Sequence, residues 1–139
     1  MKRANVLLVD DEADLAQTLA RRLNMRHYRA RSVYSAPEAL EAVSREAPEV
    51  MVIDLHLPGM PGNDLARAVR QVDSTVAIIL LSGQGSLQTE NWIHDGLIVD
   101  FVMKPVEIQE LTKKIDSAKN EHDARCARKD GERGKHGQA

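Results

Sequence analysis

With 139 residues the chain has room for one domain around one buried core, and not for two comfortable ones. Hydrophobic residues at 42% and charged residues at 29% are ordinary for a globular protein, and a net charge of −2 gives no general pull toward nucleic acid or membrane. The single cysteine, Cys126, excludes an internal disulfide and fits a reducing cytoplasm.

The amino-terminal segment MKRANVLLVDDE holds an apolar run from Val6 to Val9, far too short for a signal peptide or a membrane span, and two aspartates close it. The spacing then predicts a helix with Leu15, Leu19 and Leu23 on one face. A weak strand follows over Arg29 to Val33, and a second helix with Ala36, Ala39, Leu40 and Val43 on one face. Val50 to Ile53 is the third apolar run, and the helix behind it carries Leu65, Ala68 and Val69, with Asn63 or Asp64 as its expected cap. Val76 to Leu81 reads as the fourth strand, Leu87 to His94 as the least regular helix, and Ile98 to Met103 as the fifth strand. The last helix begins near Glu107 and sets Ile108, Leu111 and Ile115 on one face.

Short Val- and Ile-rich runs of this kind are strands buried on both sides, and their alternation with helices predicts a parallel sheet joined by right-handed crossovers. The fold class read from the pattern is α/β, a single doubly wound (βα)5 unit over residues 4–120. From Glu121 onward the apolar pattern stops, and residues 121–139 are expected to be a frayed helix end and a polar, disordered tail. Acidic and basic residues nearly balance there, so a nucleic-acid-binding arm is not expected.

In an open α/β sheet, ligands bind beyond the carboxyl ends of the strands. The first strand ends in Asp10 and Asp11, the third in Asp54, the fourth in Ser82 and the fifth in Lys104. Taken singly, each has an ordinary structural role: an aspartate as turn residue or cap, a serine as turn residue, a lysine as solvated charge. Jointly, they bring three carboxylates, a hydroxyl and an ammonium to one pocket. Crowded carboxylates repel one another, and a hard cation such as Mg²⁺ relieves that repulsion. A carboxylate can also act as the nucleophile that forms an aspartyl phosphate, with a metal, a lysine and a hydroxyl steadying the phosphoryl oxygens. Asp54 is the nucleophile candidate because it emerges alone from the central strand, opposite the acidic pair.

The segments VLLVDDE (6–12), VIDLHLPGMPG (52–62), LLSG (80–83) and DFVMKP (100–105) resemble, in identity and spacing, the CheY-like receiver domain of two-component response regulators. The resemblance implies the flavodoxin-like strand order 2-1-3-4-5, for which a receiver domain is a standard example. It further implies that Asp10 and Asp11 bind metal, that Asp54 is phosphorylated, and that the main-chain carbonyl of His56 is a further metal ligand. The expected cofactor is Mg²⁺, with Mn²⁺ as an alternative. Ser82 is the implied switch hydroxyl, Lys104 the phosphoryl-pairing cation and Phe101 the aromatic that turns inward with the switch. A cis bond is implied before Pro105, and His56 and Gln84 stand where the family tunes dephosphorylation. Asp95-Gly96-Leu97-Ile98 replaces the Gly-Ala often found before the fifth strand, so the end of the fourth helix is expected to be reshaped.

The implied partners are a sensor histidine kinase or phosphotransfer protein, and a downstream protein that reads the surface of helix four, strand five and helix five, with dimerisation on activation as a further expectation. An aspartate-nucleophile phosphatase would need a second aspartate two residues after Asp54, where His56 stands. A receiver-like binder without phosphorylation would have lost the acidic pair or the lysine, and both are present. The chain is thus expected to be a signalling domain rather than a substrate-directed enzyme, acting alone or as part of a longer regulator in the cytoplasm. His27, His94, His122 and His136 show no metal-ligand spacing and are read as solvated, Met25, Met51 and Met60 as core or loop filler, and Trp92 as partly buried against the sheet.

Overall fold

The structure is a computed structural model that describes residues 3–83 and 87–137. Strands β1 (Asn5–Val9), β2 (Arg29–Val33), β3 (Val50–Asp54), β4 (Ala77–Ser82) and β5 (Asp100–Met103) alternate with helices α1 (Ala13–Met25), α2 (Ala36–Arg45), α3 (Gly62–Val72), α4 (Leu87–His94) and α5 (Ile108–Gly137). All four strand pairings are parallel, and the order is β2-β1-β3-β4-β5.

The two faces of the sheet follow from the side-chain period of two. Val6, Leu8, Val50, Val52, Ala77, Ile79 and Leu81 point to one face, where Leu19 and Leu23 of α1 and Leu111 and Ile115 of α5 cover them. Leu7, Val9, Met51, Ile53, Ile78 and Leu80 point to the other, under Ala39 and Val43 of α2 and Leu65 and Val69 of α3, with Trp92 of α4 partly buried beside them. Central strands with helices on both sides are apolar along their length except at their ends, which is why β1, β3 and β4 carry the continuous runs VLLV, VMVI and AIILL. β2 is the edge strand and is only half covered. That explains how Arg29 and Arg31 fit a strand: both reach Glu46, Arg29 at 3.1 Å and Arg31 at 4.0 Å.

Helix α2 opens with Ser35, whose Oγ accepts the Glu38 amide at 3.3 Å, and with Pro37 in its first turn, where no amide is missed. Helix α3 does not start as expected. Its N-cap is Pro61, without a side-chain cap, and Asn63 and Asp64 lie inside the first turn. Asp64 instead pairs with Arg67 at 3.2 Å. The residue that fixes this helix start is Gly62, whose amide donates to Leu55 O at 2.8 Å.

The long α5 departs from the expected frayed end and disordered tail, because the helix continues through Gly137. Polar docking holds the part beyond Glu121 in place of apolar packing. His122 Nδ1–H donates to Thr75 O at 2.8 Å, and Arg125 Nη1 donates to Val76 O at 2.9 Å. Glu121 pairs with Arg125 one turn on, at 3.2 Å. His122 is therefore a docking residue rather than a solvated one. Met51 is fully buried and Met60 partly so, whereas Met25 is 74% exposed at the end of α1.

Tyr28 joins α1, β2 and α5. Its ring is buried, and its hydroxyl donates to Asp116 Oδ1 at 2.7 Å and accepts from Arg3 Nη1 at 3.2 Å. Burial, and then the Asp116 carboxylate, push its pKa from 10.0 to about 12. The neutral phenol is thus favoured by the fold. Its contribution is complete below the unfolded value of 10.0 and is lost as pH rises through about 12. Tyr28→Phe is expected to cost about 1 kcal/mol in urea unfolding at neutral pH. Absorbance titration should show one tyrosine of the parent chain ionising only near pH 12, and that late step should vanish in the variant.

Candidate phosphoacceptor site

Asp10 directly follows β1, and its amide donates to Val33 O at 3.2 Å. Its Oδ1 accepts the Glu12 amide at 3.0 Å, which fixes the carboxylate's direction. Asp54 is the last residue of β3, in register with Leu81, and its Oδ1 accepts the His56 amide at 3.1 Å. Both side chains are buried, Asp10 at 2% and Asp54 at 5% exposure, whereas Asp11 is exposed. Carboxylate oxygens of Asp10, Asp11 and Asp54 lie within 4.8 Å of one another.

Lys104 leaves the end of β5, its amide donating to Ser82 O at 2.9 Å. Its Nζ stands 3.3 Å from Asp10 Oδ2 and 3.6 Å from both Asp54 Oδ2 and Glu12 Oε1. Partial burial works against the ammonium. The charges of Asp10 and Asp54 outweigh it and hold the lysine above its ordinary value. Asp10 is displaced upward as well, first by burial and also by the Asp54 charge. Ser82 closes β4 fully buried, opposite Met103 in the β4–β5 register. The Lys104–Pro105 peptide bond is cis.

The site thus gathers Asp10, Asp11, Asp54, Ser82 and Lys104 at the carboxyl edge of the sheet, as their strand-end positions in the sequence imply. His56 lies in the turn after β3 with an exposed side chain, while Gln84 lies outside the described residues. Phe101 is half-buried in β5 with Lys114 Nζ 5.3 Å from its ring centroid. Two contributors are not evident from the motifs alone. Glu12 adds a fourth carboxylate within reach of Lys104. Gly62 brings the start of α3 against the backbone of Asp54, where an added Cβ would sit 2.5 Å from Asp54 O. A Pro-Gly pair is a generic turn signal, so the spatial reason for this glycine is not readable from the chain.

The donor set fits a hard divalent cation. Asp10 Oδ2 is buried and takes no well-directed hydrogen bond, and oxygen ligands clustered this closely are what Mg²⁺ accepts. A second group, Glu49, His122 and Asp123, also lies close together. There the charge is met within the protein, because Lys119 Nζ pairs with Glu49 at 2.9 Å and Asp123 at 2.7 Å.

Five parallel strands in this order, with acidic residues and a lysine at the carboxyl edge, define a receiver-type signalling domain. The model of the response regulator receiver domain matches residues 6–116, and the chain belongs to that family, whose members serve two-component systems. Among curated relatives, it is 36% identical over 115 residues to the two-component response regulator PhoP of Pseudomonas aeruginosa, covering 81% of this chain and 50% of that protein. It is 30% identical over 118 residues to the uncharacterized transcriptional regulatory protein YkoG of Bacillus subtilis, covering 85% and 52%. The chain spans about half the length of these curated relatives. The solved response regulator receiver domain protein from Clostridium thermocellum superimposes with a TM-score of 0.77 at 25% identity, covering 85% of this chain and 95% of that one. A CheY-like receiver domain protein from Methanospirillum hungatei gives 0.79 at 24% identity over 90% and 98%, a likeness of fold. Among the described residues, no helix is long and apolar enough to cross a membrane.

Proposed function

We propose that Asp54 accepts a phosphoryl group from the phosphohistidine of a sensor histidine kinase or phosphotransfer protein, and that the resulting charge switches a protein-binding surface. The observation that supports this best is Lys104 Nζ placed 3.3 Å from Asp10 and 3.6 Å from Asp54 at the carboxyl edge of the sheet. In the transfer, an Asp54 carboxylate oxygen forms the new P–O bond as the donor's P–N bond breaks. The electron pair of that bond stays on the imidazole, which is protonated on its other nitrogen and leaves as neutral histidine. Lys104 meets the phosphoryl oxygens, and the Ser82 hydroxyl donates to one of them.

Asp10, Asp11, Asp54 and the main-chain carbonyl of His56 are the residues that would hold Mg²⁺. When bound, the ion neutralises carboxylate repulsion and polarises the phosphoryl oxygens. Phosphorylation leaves roughly −1.5 to −2 charge at the site. Ser82 and Phe101 then carry the change toward α4, β5 and α5, the surface a downstream partner reads. The domain's own chemistry is limited to gaining and losing the phosphoryl group.

The test is incubation with acetyl phosphate, followed by intact-mass measurement. The parent chain should gain one phosphoryl group only with Mg²⁺, and Asp54→Ala should gain none. Uptake by Asp54→Ala, or equal uptake in the presence of a chelator, would overturn the reading.

A further inference from the structure

At the amino edge of the sheet, opposite the aspartate site, lies an open cleft of about 340 Å³. It is lined by Arg70 from the last turn of α3, Ser74 from the α3–β4 loop, and Arg125, Arg128 and Lys129 from α5. Four cationic side chains therefore meet in one place on a protein whose overall charge is slightly negative.

Their compensation is incomplete. Glu121 is shared between two guanidiniums, its Oε1 lying 3.2 Å from both Arg125 Nε and Arg128 Nη2. Asp73 is engaged elsewhere, accepting from the Thr75 amide at 2.9 Å and its hydroxyl at 2.6 Å, though its charge is felt at Lys129. Arg70 has no carboxylate partner among the described residues. It donates through Nη1 to Gly96 O, the carbonyl that Arg125 Nη2 also approaches at 3.4 Å. Two half-buried guanidiniums thus converge on one neutral carbonyl. Burial and the Arg125 charge hold Arg70 below the usual arginine value. The Nε and Nη2 groups of Arg70 donate to no described protein atom, so its remaining donor edge is available in the cleft.

We propose that this cleft binds a small phosphate-bearing anion, with Arg70 and Arg125 as its fixed floor and Arg128 and Lys129 as its outer arms. The fork of an arginine matches two phosphate oxygens at once, and a partly buried arginine held by backbone carbonyls is already oriented for that contact. A carboxylate would satisfy the same charges, but the several converging donors favour an anion with three or more acceptor oxygens. The Ser74 hydroxyl at the rim can supply one more hydrogen bond. A free polyphosphate and the phosphate tail of a nucleotide share this chemistry, and separate titrations distinguish them.

The experiment uses the whole chain carrying Asp54→Asn, in the presence of a chelator, so that the aspartate site takes no part. Inorganic pyrophosphate and a nucleoside diphosphate are titrated separately, with affinity from calorimetry and location from amide shifts in NMR. Saturable shifts should centre on Ser74, Gly96 and Lys129. Charge reversal at the exposed Arg128→Glu and Lys129→Glu pair should weaken binding at least tenfold without lowering the melting temperature. The equally exposed Arg21→Glu and Arg22→Glu pair on α1 should leave affinity unchanged. Tighter binding of the nucleotide than of pyrophosphate identifies a nucleotide site, and equal binding a polyphosphate site. Absence of saturation, or equal weakening by both charge-reversed pairs, means diffuse charge attraction and overturns the proposal.

Discussion

In a chelating buffer, Asp10→Asn is expected to be more stable than the parent chain, and to lose the stabilisation that Mg²⁺ confers. Asp10 and Asp54 are both buried, with carboxylate oxygens no more than 4.8 Å apart. At an effective dielectric of about 20, two such charges repel by about 3 kcal/mol. Lys104 offsets part of this, but it is shared with Asp54 and Glu12. An asparagine at position 10 keeps the acceptor for the Glu12 amide and gives up the Oδ2 contact with Lys104 for an N–H₂ that can donate to Asp54 or Asp11. The net gain should be on the order of 1–2 kcal/mol in urea unfolding at neutral pH. The sign agrees with the titration. Asp10 has a folded pKa raised above 3.8, so its contribution is complete below that value and lost as pH rises through the folded value. The variant should lack that decline. With Mg²⁺ in about hundredfold excess over its dissociation constant, the parent should gain about 2.7 kcal/mol and the variant far less, reversing the order. A variant that is less stable than the parent in chelator, or gains as much from Mg²⁺, would show that the cluster is not strained by its own charge.

Gly62→Ala is expected to lower stability by about 1–3 kcal/mol, the usual cost of forcing a methyl into a packed space. It should also slow phosphoryl uptake at Asp54. The obstacle is close approach rather than backbone conformation. The new Cβ would meet Asp54 O at 2.5 Å and Leu55 Cα at 2.8 Å, and neither can swing aside as a flexible side chain would. The alternatives are displacement of α3, whose first turn is tied to Leu55 O, or displacement of the Asp54 backbone itself. Gly59, by contrast, has an open surround and φ of 81°, so Gly59→Ala strains only the turn. Measuring melting and acetyl phosphate uptake for both variants tests the distinction. Equal, small effects from the two would remove the special role given to Gly62.

Much of this was legible in the chain because the central strands are covered on both faces and leave continuous runs such as VLLV and VMVID. The aspartates, serine and lysine at their ends then fall together by topology alone. The edge strand β2 was weaker because Arg29 and Arg31 need no apolar cover there. The apolar run predicts a fifth strand from Ile98, but the ladder begins at Asp100. Ile98 is buried as part of the approach from α4, its amide bonded to Trp92 O. Asn63 and Asp64 carry a cap's composition, but Gly62 sets the start of α3 by contact. The far half of α5 left no apolar trace at all. His122 and Arg125 bond to main-chain carbonyls of the β4 approach, and carbonyls have no signature in sequence.

That helix has a mechanical consequence. From Ala127 through Gly131 every residue is exposed, and the last described hydrogen bonds from α5 to the rest of the fold are those of Arg125 to Val76 O and Gly96 O. The helix nevertheless continues to Gly137, so 137 − 125 = 12 residues run past the Arg125 anchor. At 1.5 Å per residue that is a helical extension of roughly 18 Å. A tilt of about 10° at its root would carry its tip roughly 3 Å. A rearrangement of a few tenths of an ångström beside Val76 and Gly96 thereby becomes a displacement large enough to make or break a contact at the extension's end.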